Sequence, residues 1–342
     1  MKPRLEIRFP LSSQWTFCFG RPYSPAADEF LLNHARSGIL LALRALDLPA
    51  GSAVGVMVYN CHTVFNAISQ AGYQPVFIDV TEELTLDRND LKKKQASLKA
   101  LVITHLFGIL NDVAAIREEY PDLPLIEDCA HAYGLHTTAA DFCVYSLGQG
   151  KLPSLGDGGI LRVNERKHLV RLRSLYDSLP EYSSLGTLHL YLTMMAKALL
   201  NQPCIYPWFT KKLKSRRKLS TGVEAISPRK MCRGIRALYE CVRPDSESLI
   251  MRRRAQAQET NALLKGTEGI LSVLEGSYNG FMAVARCEDV PAAKKALEKR
   301  GIEAETHFSH CIDWAESFGY VEGSCPCAEA LLGQLIMVPT YI

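Results

Sequence analysis

Apolar positions follow two rhythms along the first half of this chain. Residues 28–46 place Leu, Ile and Ala at helical spacing, and residues 63–71 do so again. Between and after them stand short unbroken apolar runs at 53–58, 75–80, 99–104 and 123–127, each of strand length. A further helical stretch at 112–120 separates the last two runs, and 141–145 is one more buried strand. Helix and strand in alternation predict an α/β fold with a mostly parallel central sheet flanked by helices. The rhythm changes after about residue 165. A long charged helix is predicted over 247–264, followed by a strand at 281–285 and a helix at 291–300, which together make a smaller α+β unit. The pattern therefore predicts two domains, a large one over 1–240 and a small C-terminal one over 241–342.

Chemistry gathers at the ends of two of these strands. Leu125-Ile126 runs into Glu127-Asp128, a carboxylate at a strand's C-terminal end, where ligands of open α/β sheets sit. Tyr145 closes the next strand, Ser146 follows directly, and a turn through Gly148-Gln149-Gly150 delivers Lys151. Glycine on both sides of Gln149 permits the sharp bend that lifts a lysine over a bound group. Gly156, Gly158 and Gly159 carry the turn on to the apolar Ile160-Leu161. One acid, one imidazole (His131), one hydroxyl and one lysine outline a site for pyridoxal 5′-phosphate, which needs a lysine for its aldehyde and a carboxylate to keep its ring nitrogen protonated.

The order Asp128, His131, Ser146, Lys151, Gly158-Gly159 resembles the DegT/DnrJ/EryC1/StrS aminotransferases. Further segments share the likeness: Ser37-Gly38-Ile39 with the helix it opens, residues 67–79, His105-Leu106-Phe107-Gly108, Gly301-Ile302 as the start of a C-terminal strand, and Val338-Pro339-Thr340-Tyr341. The resemblance covers roughly 30–165 and 225–342. It implies a fold-type I transferase that moves an amino group from an amino acid, by analogy glutamate, to a keto group, most often of a nucleotide-linked sugar. It also implies a homodimer with the active site at the subunit interface.

Carried over residue by residue, the resemblance makes Lys151 the cofactor-linked general acid and base, pairs Asp128 with the pyridinium nitrogen, and sets His131 beside the ring. Ser146 and the amides of Ser37, Gly38 and Ile39 at a helix N-terminus are placed for the phosphate. Ile39 stands where the family usually has Thr, so one side-chain phosphate contact is missing. For the ring-stacking position Tyr59, Cys61 and His62 compete, and His62 is favoured because an imidazole stacks where a thiol does not. His307 is matched to a substrate-facing His-aromatic pair, with His310 close enough to compete. Two alternatives stay open: a catalytically weakened partner or regulatory subunit, and a pyridoxal phosphate enzyme acting on a non-sugar keto substrate. Lysine at 151 speaks against the related sugar dehydratases, which carry His there.

The stretch from about 175 to 225 leaves the family pattern, and its Asn-Tyr-Arg-Met-type segment is not recognisable. An apolar run at 188–209 is followed by a basic run at 211–218. His189, Lys197, Asn201 and Pro203 interrupt the apolar part too often for a membrane span. The preferred reading is a packed helix followed by a solvated basic face. The alternative is docking on a membrane surface or a lipid-linked substrate.

Composition narrows the rest. A net charge of +3 is too small and dispersed to point to nucleic acid. Eleven cysteines in 342 residues without a CxxC pair fit reduced thiols in a cytoplasmic protein. Cys325-Pro326-Cys327 lacks partners at metal-site spacing, so no metal is expected. Lys2, Arg4, Glu6 and Arg8 break any signal-peptide core.

Overall fold

A computed structural model describes residues 10–202, 205 and 222–340; the basic run at 211–218 and Tyr341 lie outside the described residues. Ten strands are named in chain order among these residues: β1 Glu29–Leu32, β2 Ala53–Met57, β3 Gln74–Ile78, β4 Leu98–Thr104, β5 Leu125–Asp128, β6 Phe142–Ser146, β7 Gly159–Val163, β8 Ile270–Leu274, β9 Met282–Cys287 and β10 Leu335–Pro339. The helices used below are α1 Leu11–Phe19, α2 Ala35–Ala45, α3 His62–Gln70, α4 Arg88–Lys94, α5 Val113–Glu119, α6 Leu169–Asp177, α7 Ser184–Leu200, α8 Arg233–Val242, α9 Ser246–Lys265, α10 Val290–Lys299 and α11 Cys311–Glu316.

The first seven strands form one sheet in the order β1-β7-β6-β5-β4-β2-β3. From β3 to β6 every pairing is parallel, while β7 and β1 run antiparallel at one edge. The central strands carry apolar side chains on both faces, as strands covered by helices on each side must. Strands β8, β9 and β10 form a separate antiparallel sheet in the order β10-β9-β8. Leu264 of α9 and Ala293 and Leu297 of α10 join its core with Ala283, Ala285, Ile336 and Val338.

Capping explains where several helices begin. Asp87, Asp112 and Asp289 each accept hydrogen bonds from the first-turn amides of α4, α5 and α10, which removes orphan donors at those ends. The predicted helix over 28–46 is corrected: residues 29–32 are β1, and the helix starts only at Ala35. Pairing of Glu29–Leu32 with β7 overrides the local pattern, because those four residues complete the sheet edge. The strand expected to open at Gly301-Ile302 is absent. Gly301 turns with a φ of 75°, Ile302 plugs the core of the small sheet, and only Glu305 forms a single bridge to Met337. The helix expected within 188–209 exists as α7, but its leucines face outward rather than packing inward.

One buried carboxylate ties the large sheet to its surroundings. Asp141, whose side chain is 2% exposed, accepts bonds from Arg117 at 2.6 Å, the Leu125 amide at 2.9 Å and His168 at 3.2 Å. Burial alone would raise its pKa, but bonds from His168, Leu125 and Arg117 outweigh that and hold the carboxyl well below the ordinary range. A depressed folded-state pKa stabilises above the unfolded value of about 3.9, and that stabilisation is lost as pH falls through the folded value. Asp141→Asn is expected to lose about 3 kcal/mol at neutral pH, because Arg117 loses its counter-charge. Urea unfolding across pH 3–7 checks this: wild type should weaken on the acid side, and the variant should show the flatter acid limb.

Candidate active site

Parallel register brings the ends of three strands side by side. Thr104 closing β4 pairs with Asp128 closing β5, and Asp128 in turn pairs with Val144, two residues before Ser146 closes β6. Three polar residues therefore cap the C-terminal edge of an otherwise apolar sheet centre, where open α/β folds bind ligands.

Asp128 is buried, and its two oxygens have modest partners. Oδ1 accepts from the Ala130 amide at 3.0 Å, and Oδ2 accepts from the Thr104 hydroxyl at 3.3 Å. Asn60 donates to that same hydroxyl at 2.8 Å, so a chain of polar groups runs from residue 60 to the acid. Burial raises the Asp128 pKa above the ordinary carboxylate value, against the opposing pull of the Ala130 amide, the Lys151 charge and the Thr104 hydroxyl. A buried acid with a raised pKa favours an incoming cation.

Lys151 reaches the same region from a pinched hairpin between β6 and β7. Leu147 donates its amide to Gly158, Leu155 donates to Leu147, and Gly148 bridges Gly156, closing the base of the loop. Gly150 has a φ of 76° and donates its amide to the Ser154 hydroxyl at 3.0 Å, a turn that suits glycine. Lys151 Nζ lies 2.6 Å from His131 Nε2 and 5.7 Å from the centre of the Phe281 ring.

His131 Nδ1 accepts the Phe107 amide at 3.1 Å, and its Nε2 faces Lys151 Nζ. Burial above all, then the charges of Lys151 and His307, hold the imidazole pKa well below its usual value. Aromatic rings box in the imidazole: Phe281 at 4.6 Å, Phe107 at 5.5 Å and Phe308 at 6.1 Å between centroids, all within 25° of parallel. Phe107 and Phe308 both adopt left-handed backbone, with φ of 54° and 57°, which non-glycine residues rarely do away from functional sites. Below them, the buried His105 accepts the Asn111 amide at Nδ1 and donates Nε2–H to Glu127 at 2.7 Å, which fixes the 105–111 segment against β5.

The structure thus brings Asp128, His131 and Lys151 together, with Ser146 one strand over. Ser146 is buried, and its hydroxyl accepts the Gly148 amide at 3.4 Å. The His62 ring packs edge-on to Trp314 at 4.8 Å, since α3 abuts α11 there. Tyr59 donates to the His307 carbonyl at 3.2 Å and meets Phe308 edge-on, and Cys61 accepts from Thr63. His307 lies near Phe107, 6.2 Å between rings, while the exposed His310 pairs with Asp313 at 3.0 Å. The phosphate amides also need correction. Because α2 opens at Ala35, the amides of Ser37 and Gly38 already bond the His34 carbonyl, Ile39 is a buried core residue inside the helix, and the Ser37 hydroxyl donates to Asn33 at 2.8 Å. The first amides of the helix belong instead to Ala35 and Arg36. Gly159 lies against them so closely that a Cβ would fall 2.4 Å from the Ala35 nitrogen.

Residues 30–178 match the DegT/DnrJ/EryC1/StrS aminotransferase family. Over that segment, less than half of its length, the chain is similar to this family. Over 155 residues it is 31% identical to the dTDP-3-amino-3,4,6-trideoxy-alpha-D-glucose transaminase of Micromonospora megalomicea subsp. nigra, a match covering 42% of this chain and 41% of that relative. The chain thus spans about two fifths of the length of that curated relative. The fold is shared along the whole chain with sugar aminotransferase CalS13 from Micromonospora echinospora, at a TM-score of 0.72 and 16% identity, covering 100% of this chain and 96% of that one. Spr1654 of Streptococcus pneumoniae in its PLP form has the same TM-score, 0.72, at 16% identity, covering 99% of this chain and 93% of its own. Asp128, His131, Ser146 and Lys151 all fall inside the segment that matches the DegT/DnrJ/EryC1/StrS family, whereas α7 falls outside it.

Asn60, Thr104, Phe107 and Phe281 are site neighbours that sequence reasoning missed, while Phe308 is the aromatic of the His-aromatic pair expected at the site. Thr104 had a signal: it ends an apolar strand beside His105, in the same position on its strand as Asp128 on the next.

Proposed function

We infer that this chain is a pyridoxal phosphate-dependent aminotransferase that transfers an amino group from an amino acid, glutamate by analogy, to the keto group of a nucleotide-linked sugar. The observation that carries the reading is the convergence of the buried Asp128 carboxylate and Lys151, whose Nζ lies 2.6 Å from His131, at the C-terminal edge of the sheet. These residues fit the cofactor: Asp128 offers the charge its ring nitrogen requires, and Lys151 offers the amine its aldehyde requires. The Spr1654 structure in its PLP form and the nucleotide-sugar name of the Micromonospora relative support the cofactor and the acceptor class.

When bound, pyridoxal phosphate supplies an aldehyde that carries the amino group and a protonated ring that accepts electrons from the donor's α-carbon. Asp128 holds the proton at the ring nitrogen. Lys151 would hold the aldehyde end of the cofactor and would move the proton at the donor's α-carbon as general base and acid. His131 positions the lysine side chain through its Nε2 contact with Nζ. Ser146, with the N-terminus of α2, would hold the phosphate. Phe107, Phe281 and Phe308 exclude water from the proton transfers, which strengthens the electrostatic contacts inside. In this reading the unit over 1–240 carries the cofactor, the unit over 241–342 supplies Phe281, His307 and Phe308, and the working enzyme is a cytoplasmic homodimer.

Purified protein incubated with pyridoxal phosphate should turn yellow, and the colour should bleach when glutamate is added. A screen of keto-sugar nucleotides against simple keto acids, read as amine product, should favour the sugars. Protein that stays colourless and takes up no pyridoxal phosphate would overturn the assignment and leave a non-catalytic family member.

A further inference from the structure

The C-terminal ends of three adjacent strands each contribute one member of a buried polar chain. In the sheet order β5-β4-β2, Asp128 closes β5, Thr104 closes β4 directly opposite it, and Asn60 follows the end of β2 at Met57. All three are buried, at 4%, 3% and 1% exposure. The direction of the chain is set at its far end. The Cys61 amide donates to Asn60 Oδ1 at 2.8 Å, so the other arm of that side chain, Nδ2, faces Thr104 and donates to its Oγ1 at 2.8 Å. A threonine hydroxyl has a single hydrogen. Because Oγ1 accepts from Asn60, that hydrogen goes to Asp128 Oδ2, 3.3 Å away.

That hydrogen bond bears on how the acid presents itself. Burial pushes Asp128 toward its neutral form, and the Ala130 amide, the Lys151 charge and the Thr104 hydroxyl oppose it, in that order. His105, just past β4, adds a smaller pull, while burial holds the neighbouring Cys129 far above its ordinary value, as a thiol. The Ala130 amide on Oδ1 and the Thr104 hydroxyl on Oδ2 occupy both oxygens, which fixes the plane of the carboxylate. The strand itself has no need of that hydroxyl. Thr104 is the one hydroxyl residue in β4, whose other members are apolar apart from Lys99, and its carbonyl is already met by Asn111 Nδ2 at 2.9 Å. A valine would pack there about as well, so the oxygen serves the acid rather than the fold.

We propose, resting on the pyridoxal phosphate reading above, that Thr104 and Asn60 are positioning residues that hold Asp128 as a carboxylate aimed at the cofactor's ring nitrogen, Asn60 acting by turning the Thr104 hydrogen toward the acid. The test compares two ligands on the full chain: pyridoxal phosphate, and its analogue with C–H in place of the ring nitrogen. Both carry the aldehyde and the phosphate, so the ratio of their affinities, read by fluorescence titration without turnover, isolates the contact between acid and nitrogen. Wild type should prefer pyridoxal phosphate by about 10²-fold or more, as a buried ion pair requires. Thr104→Val should cut that preference about tenfold, the loss of one hydrogen bond to a charged group, and Thr104→Ser, which keeps the hydroxyl, should hold the wild-type ratio. Asn60→Ala should lower the ratio in the wild-type background and leave it unchanged in Thr104→Val, because it acts only through that hydroxyl. Circular dichroism should match wild type throughout, and Thr104→Ala takes the place of a Val variant that does not fold. A folded Thr104 variant without the hydroxyl that keeps the wild-type ratio, or that loses both ligands in equal proportion, overturns the proposal, as does an Asn60→Ala effect of equal size in both backgrounds. Those results leave the cofactor reading standing. A wild type that takes up neither ligand removes that reading and the proposal with it.

Discussion

Lys151→Ala is expected to abolish transamination, lowering it by about 10²–10⁴-fold or more, because one side chain supplies both the amine for the aldehyde and the proton relay at the donor's α-carbon. The fold should survive the change. Lys151 sits in a loop whose closure rests on backbone bonds among Leu147, Gly148, Leu155 and Gly158 and on the Ser154 hydroxyl, none of which involves the lysine side chain. Three measurements separate loss of chemistry from loss of structure. The yellow form should not develop, circular dichroism should match wild type, and pyridoxal phosphate should still bind reversibly through Asp128 and Ser146. Lys151→Arg should be nearly as inactive as Ala, since a guanidinium stays protonated and cannot add to an aldehyde. Full activity in either variant would remove Lys151 from the mechanism.

The residues most legible in the sequence were those whose role depends on local context. Asp128 ends an apolar run, Lys151 follows a glycine-bounded turn, and both properties lie within a few positions of the residue itself. Groups that reach the site across the chain were not legible in that way. Phe281 stacks on His131 from more than a hundred positions away, and Asn60 acts on Asp128 only through Thr104. The start of α2 was misplaced for a related reason. Its N-terminus is set by β1 pairing with β7 and by the close approach of Gly159 to Ala35, both of which join residues far apart in sequence. His62 was read by residue type, as an imidazole able to stack on a ring, and the packing of α3 on α11 gives it Trp314 as an edge-on partner.

Asp128→Asn is expected to lower activity by about 10²–10⁴-fold, from the roughly 3–5 kcal/mol that follows when a buried ion pair loses one partner. Asparagine matches the shape and keeps one oxygen for the Ala130 amide while its NH2 faces the Thr104 hydroxyl, but it cannot hold a proton on the ring nitrogen. Stability should move the other way in the cofactor-free protein. The folded-state pKa of Asp128 is raised, so its contribution is favourable below the unfolded value of about 3.9 and is lost as pH rises through the folded value. At neutral pH the buried carboxylate therefore works against folding until a cation joins it. Cofactor-free Asp128→Asn should unfold at equal or higher denaturant than cofactor-free wild type at pH 7, and the order should reverse when pyridoxal phosphate is added, because only wild type gains the full ion pair. That crossing of stabilities is the informative result. A variant less stable than wild type both with and without cofactor would make Asp128 a structural cap, and an active variant would take it out of the cofactor site.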